Sequence, residues 1–136
     1  MDKNIFISID KKSVNPAEAA ALYRELGWGT AKKYSTARMK RSLANCDIVV
    51  SARNADGELV GIARALSDFA LDTKILDMII APEYQRQGLG SAMMKKLAAV
   101  AKGTSIYLET KRKNFAFAAK CGYAKRSGLT VFRKKG

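Results

Sequence analysis

The sequence predicts an α/β fold, one sheet with a central strand–turn–helix unit. Three observations support this. First, β-patterned and helix-patterned runs alternate in the order β-α-α-β-β-β-α-β-α-β, the pattern of a layered α/β domain. Second, Asp56-Gly57 lies between two β-patterned runs, a hairpin signal that pairs neighbouring strands. Third, the apolar run Ile75-Leu76-Asp77-Met78-Ile79-Ile80 passes through a glycine turn into a helix-patterned run. With 136 residues, two prolines and no repeat or low-complexity linker, residues 1–136 read as a single domain able to bury a core without staples.

Taken in order, Ile5-Phe6-Ile7-Ser8-Ile9 is a first strand. Asn15-Pro16 puts a capping side chain before a proline at the first helical position, so residues 17–26 are expected to be helical until Gly27-Trp28-Gly29 stops them. A weaker helix is expected over residues 35–44. Strands follow at 48–53 and 59–66, joined across Asn54-Ala55-Asp56-Gly57-Glu58, and a third at 74–81 stops at Pro82. Beyond the glycine turn, Leu89, Met93, Leu97 and Val100 recur at helical spacing and predict a helix over 91–101. Residues 106–109 read as a strand, 114–121 as a short helix and 129–133 as a last strand.

Composition narrows the function classes. Hydrophobic content of 48% and charged content of 27% describe a soluble globular protein. No apolar run approaches the roughly 20 residues of a membrane span, and Met1-Asp2-Lys3-Asn4 does not open a signal peptide. Cys46 and Cys121 are isolated and lack metal-type spacing; they read as reduced thiols, which points to the cytoplasm. The absence of histidine removes Ser-His and Cys-His catalysis and the commonest metal ligand, and no metal site is expected. Lys and Arg outnumber Asp and Glu 25 to 12, a formal charge of +13 that attracts anions. That charge leaves nucleic acid open as a partner, but no nucleic-acid-binding helix signature or aromatic array accompanies it.

A strand, a glycine turn and a helix aim backbone N–H groups and the helix dipole at an anion. Three phosphate-binding signatures compete for this turn. A P-loop needs Lys-Ser or Lys-Thr after its final glycine, whereas Gly90 precedes Ser91-Ala92. A dinucleotide fingerprint needs three spaced glycines after an early strand, and here only Gly88 and Gly90 are present. The third pattern is Gln/Arg-x-x-Gly-x-Gly/Ala after a strand that ends in a proline-bearing loop. Gln85-Arg86-Gln87-Gly88-Leu89-Gly90 satisfies every fixed position.

On these residues the chain resembles the GNAT superfamily of acyl-CoA-dependent N-acetyltransferases. Asp77-Met78-Ile79-Ile80-Ala81-Pro82-Glu83-Tyr84 is similar to the family's strand and loop before the turn, and Lys120-Cys121-Gly122-Tyr123 to its later Lys-x-Gly-aromatic segment. The resemblance implies a mixed, mostly antiparallel central sheet with helices on both faces, splayed between the strands at 74–81 and 106–109. Acetyl-CoA would lie in that splay, its pyrophosphate on the backbone N–H groups of Gln85, Arg86, Gln87, Gly88, Leu89, Gly90 and Ser91. Its pantetheine arm would pair with the backbone of Met78 and Ile80. Arg86, Lys95 and Lys96 add positive potential nearby.

The resemblance further implies direct transfer to an amine through a tetrahedral intermediate, with a base, and commonly a tyrosine acid. The family's tyrosine position is Ala118 here, which leaves Tyr123 as a weak substitute. Asp77, Asp68 and Glu109 are the candidate bases, with a water chain as an alternative route. Strand alternation puts Asp77 on the face opposite Met78 and Ile80, while Asp68 is equally suited to capping its loop. Acceptor recognition in the family falls to the first two helices and their connection, where Trp28 and Tyr34 lie. The leading expectation is acetyl transfer to a primary amine of a small molecule. A protein N-terminal or lysine amine, and a non-catalytic CoA-binding or nucleic-acid-associated module, stand as alternatives, and a homodimer is compatible with any of them.

Overall fold

The computed structural model describes residues 4–136. The elements run β1 (Phe6–Ser8), α1 (Pro16–Glu25), α2 (Thr36–Asn45), β2 (Ile48–Arg53), β3 (Leu59–Ser67), β4 (Asp72–Ile80), α3 (Leu89–Val100), β5 (Ser105–Leu108) and α4 (Phe115–Lys120). The sheet order is β1-β2-β3-β4-β5; β1 through β4 pair antiparallel and β5 joins β4 in parallel. The expected mixed, mostly antiparallel sheet is what forms.

Local sequence explains the helix starts. The Asn15 side-chain oxygen accepts from the N–H groups of Ala17 and Glu18, and Pro16 fills the first helical position, so α1 begins there. Ser35 caps α2 through the Arg38 N–H. α1 and α2 cover one face of the sheet, where Ala20, Tyr23, Met39 and Leu43 pack on Val49, Ile62 and Ile79. α3 covers the other, where Leu89, Met93 and Leu97 pack on Val50, Ala63, Ile75 and the partly buried Met78 and Ile80. Helices thus lie on both faces. β2 and β3 are buried on both sides, which is why their sequences are apolar nearly throughout.

Two register shifts position the site. One lies between Ala52 and Arg53; the other, where Arg64 faces Asp77 but Ala65 faces Ile75, leaves Leu76 without an opposite residue. A bulge of this kind re-aims the side chains beyond it. Ile75 and Met78 consequently both reach the α3 face, while Asp77 and Ile79 turn toward α1 and α2.

The expected strand at 129–133 does not form. Leu129, Val131 and Phe132 are exposed, and the Leu129 N–H closes only a local turn onto the Arg126 carbonyl. Alternating apolar residues suit a pleated surface but do not supply one, and the clustered Arg133-Lys134-Lys135 stays in water. β5 is therefore an edge strand among the described residues. No helix among them is long and apolar enough to cross a membrane.

Candidate active site

The site begins where β4 and β5 part. Their parallel pairing runs from Asp72–Ser105 to Ile75–Leu108 and stops, although β4 continues to Ile80. The Ala81 N–H donates to the Val60 carbonyl, so by alternation the main-chain groups of Ile80 and Met78 point away from β3 and into the gap. The Ile80 carbonyl there accepts from the Gln85 side-chain amide at 2.8 Å.

The turn after β4 supplies the second wall. Pro82–Tyr84 forms a 3-10 turn, and Gln87 Nε2 donates back to the Glu83 carbonyl. Arg86 then adopts φ 60 and Gly88 φ 85, both left-handed, which is uncommon for a residue carrying a Cβ. Gly88 caps α3 without any side-chain hydrogen bond, and a Cβ built on it would meet nothing within 4 Å. The N–H groups of Leu89, Gly90 and Ser91 at the start of α3 have no intrahelical partner. Gly90 serves another purpose than the one a glycine turn suggests. Its Cβ would lie 3.2 Å from Met78 Cε and from Phe117 Cζ, so its lack of a side chain lets α3 sit close on β4 and α4.

The opposite face of β4 carries a side-chain network. Asp77 accepts the Tyr23 hydroxyl at 2.5 Å and two guanidinium N–H groups of Arg64, from Nε at 3.2 Å and from Nη2 at 2.5 Å. Arg64 Nη1 donates to Ser42 Oγ, and the guanidinium lies over the Tyr23 ring. The Asp77 side chain is 3% exposed and that of Arg64 14%. Burial, and then the charge of Asp77, push the Tyr23 hydroxyl well above its ordinary range, so it stays a donor. Burial cuts against the charge of Arg64, but the hydrogen bond to Asp77 outweighs it and the guanidinium is held more firmly protonated. Tyr34 stacks on Tyr23 at 5.0 Å, and burial raises its hydroxyl too. The Trp28 ring meets Tyr23 edge-on, half-exposed, and the Trp28 backbone N–H anchors the turn to the Tyr23 carbonyl. Lys33, Tyr34, Arg38, Met39, Ser42 and Arg64 line a cavity of about 180 Å³ on this face.

The other candidates are dispersed. Asp68 is exposed and accepts from the N–H groups of Ala70, Leu71 and Asp72, which together hold its carboxyl below the usual range. Glu109, one residue past the last β4–β5 pair, is exposed and paired with Lys74 at 2.6 Å. Tyr123 is partly buried against the α3-side core, and burial raises its hydroxyl. Cys121 approaches Ser91 Oγ, in the first turn of α3, at 4.0 Å.

Reading from sequence missed Tyr23, Arg64, Ser42 and Arg38. A signal for Arg64 was present: it is the one charged residue of its strand, and a hairpin places that strand beside the one that carries Asp77.

Known proteins agree with this architecture. The acetyltransferase (GNAT) family model matches residues 19–123. The chain is 34% identical over 98 residues to an uncharacterized N-acetyltransferase, ycf52, of Pyropia yezoensis, a match covering 70% of this chain and 54% of that one. It thus spans about half the length of the curated relatives it matches. Among solved structures, a GNAT family acetyltransferase of Streptococcus pneumoniae superposes with a TM-score of 0.78 at 24% identity, covering 96% of this chain and 99% of that one. AAC(6')-Iy, in complex with the bisubstrate analog CoA-S-monomethyl-acetylneamine, superposes at 0.71 with 16% identity, covering 97% and 99%. The chain belongs to the acetyltransferase (GNAT) family, whose members take their acetyl group from acetyl-CoA.

Proposed function

We propose that this chain transfers the acetyl group of acetyl-CoA directly to the primary amine of a small molecule. The observation that carries the reading is the edge of β4 that β5 leaves beyond Ile75, set against the start of α3, which no side chain caps. The main chain of Met78 and Ile80 suits an amide-bearing arm added alongside β4, as an edge strand suits another strand. The N–H groups from Arg86 to Ser91, at the positive end of a 12-residue helix, suit a pyrophosphate; that of Gln85, expected to join them, is donated to the Pro82 carbonyl instead. Exposed Arg86, Lys95 and Lys96 add to the attraction. Acetyl-CoA supplies an acyl thioester and a thiolate leaving group.

This chain's residues then manage protons and orientation. Glu109 lies at the parting of β4 and β5 and is exposed, so the proposal gives it removal of the amine proton through water. Asp77, filled by Tyr23 and Arg64, is a positioning residue, and Asp68 holds its loop. Tyr123, kept protonated by burial, is the donor toward the departing thiolate. Thiol release from acetyl-CoA across a panel of primary amines tests the reading. Saturable turnover of a small amine is expected. Binding of acetyl-CoA without thiol release on any amine contradicts it.

A further inference from the structure

We propose that the cavity between α2 and β3 is an acid-group subsite, so that the preferred acceptor is a small amine that also carries a carboxylate or phosphate. This rests on the transferase reading above and specifies its substrate class. Three cationic side chains, Lys33, Arg38 and Arg64, line the cavity. Asp77 pairs with Arg64 alone, so Lys33 and Arg38 leave the cavity positive charge beyond that pair.

The cavity is also built. Arg64 is fixed by Asp77 and Ser42, which engage three of the five N–H donors of its guanidinium. Arg38 is held by its Nε bond to the Lys33 carbonyl at 3.1 Å. Arg38 lies in the first turn of α2 and Lys33 in the turn just before it, so the positive end of this 10-residue helix adds to their charge. Met39 and the Tyr34 ring supply an apolar lining. At about 180 Å³ the cavity is smaller than the roughly 300 Å³ at which ordinary ligand pockets begin, so it takes an acid group with a short stem and leaves the amine outside.

Location supports a role in acceptor binding. Arg64 connects the cavity to Asp77, which sits on β4 between the bulged Leu76 and Met78, whose main chain faces the gap. An acid group held at Arg38 and Arg64 therefore tethers the acceptor on the β4 segment that borders the proposed cofactor cleft. The charge also explains selectivity. A neutral amine gains nothing from these cations, whereas an anionic one exchanges water for charge-assisted hydrogen bonds.

The test compares matched acceptors, O-phosphoethanolamine with ethanolamine and β-alanine with β-alaninamide, in thiol-release kinetics with saturating acetyl-CoA. Anionic members are expected to show at least about tenfold higher kcat/KM, with an advantage that shrinks as salt rises. Lys33→Ala and Arg38→Gln should each raise KM for anionic members about three- to tenfold while leaving kcat and the neutral members unchanged. Lys40→Ala, a cation on the same helix outside this cavity, should leave the preference intact. The subsite is overturned if neutral members are used equally well, or if Lys40→Ala lowers the preference as much as Arg38→Gln. If no amine is turned over, the transferase reading fails, and the cavity is judged by binding alone. O-phosphoethanolamine titrated calorimetrically with CoA present then binds wild type and is weakened in Arg38→Gln, or the subsite too is wrong.

Discussion

The two faces of β4 are built from different materials. Toward the β5 gap and α3, the proposed cleft is main chain: the edge at Met78 and Ile80 that β5 leaves uncovered, a left-handed turn and a helix start that no side chain caps. Toward α1 and α2, the working surface is side chain: Tyr23, Asp77, Arg64 and Ser42 in one buried network beside a cationic cavity. A site made of backbone tolerates any side chain that keeps the conformation. A site made of side chains depends on the identity of each. If the proposed roles hold, cofactor recognition rests on geometry and acceptor recognition on composition, and mutations should separate the two.

The largest effect is expected at Asp77. Asp77→Ala leaves the Arg64 guanidinium buried without its counter-charge, which costs about 3–5 kcal/mol in unfolding measurements by urea. A loss below 1 kcal/mol, judged on that same scale, would mean that the network is not the structural centre of its face. Next, Glu109→Gln should lower kcat by about a hundredfold while leaving acetyl-CoA affinity unchanged, as removal of a general base does. Unaltered turnover would pass proton removal to water alone.

A smaller effect concerns alkaline stability. The Tyr23 hydroxyl is raised above its ordinary value of 10.0, so the folded chain keeps a proton that the unfolded chain releases. Its contribution is complete below pH 10 and is lost as pH climbs beyond it, at up to about 1.4 kcal/mol per pH unit. Tyr23→Phe should flatten the fall in stability between pH 10 and 11, with Tyr34 and Tyr123 supplying what slope remains. An unchanged slope contradicts the burial of that phenol. Smallest of all, Tyr123→Phe should reduce kcat less than about tenfold, because a thiolate leaves with little help.

The same contrast explains what could be read from sequence. Gln85–Gly90 and the strand before it read as a candidate anion-binding turn because main-chain sites require particular backbone-permissive residues at fixed spacing. Even there, Gly90 turned out to be small for the sake of α3 packing on Met78 and Phe117, which no local pattern shows. The Tyr23–Asp77–Arg64 network joins residues far apart in sequence, and only the β3–β4 register and the seating of α1 bring them together. Trp28 and Tyr34 were visible as aromatic residues in the segment to which the resemblance gives acceptor recognition. Their roles separate in space: Tyr34 lines the cavity, while Trp28 packs edge-on against Tyr23 and pins a turn. The strand expected at 129–133 failed because pairing is a property of two segments, and periodicity reports only one.

The central claim is that acetyl-CoA is held by the main chain of the β4–α3 turn. Calorimetric titration of acetyl-CoA into wild type, Gly88→Val and Arg86→Ala tests it most directly. A β-branched residue cannot adopt φ 85 without strain, so Gly88→Val should weaken binding by about a hundredfold or more, whereas Arg86→Ala should change it by less than about threefold. Undiminished binding in Gly88→Val, or equal losses in both variants, would contradict a cofactor site built from backbone.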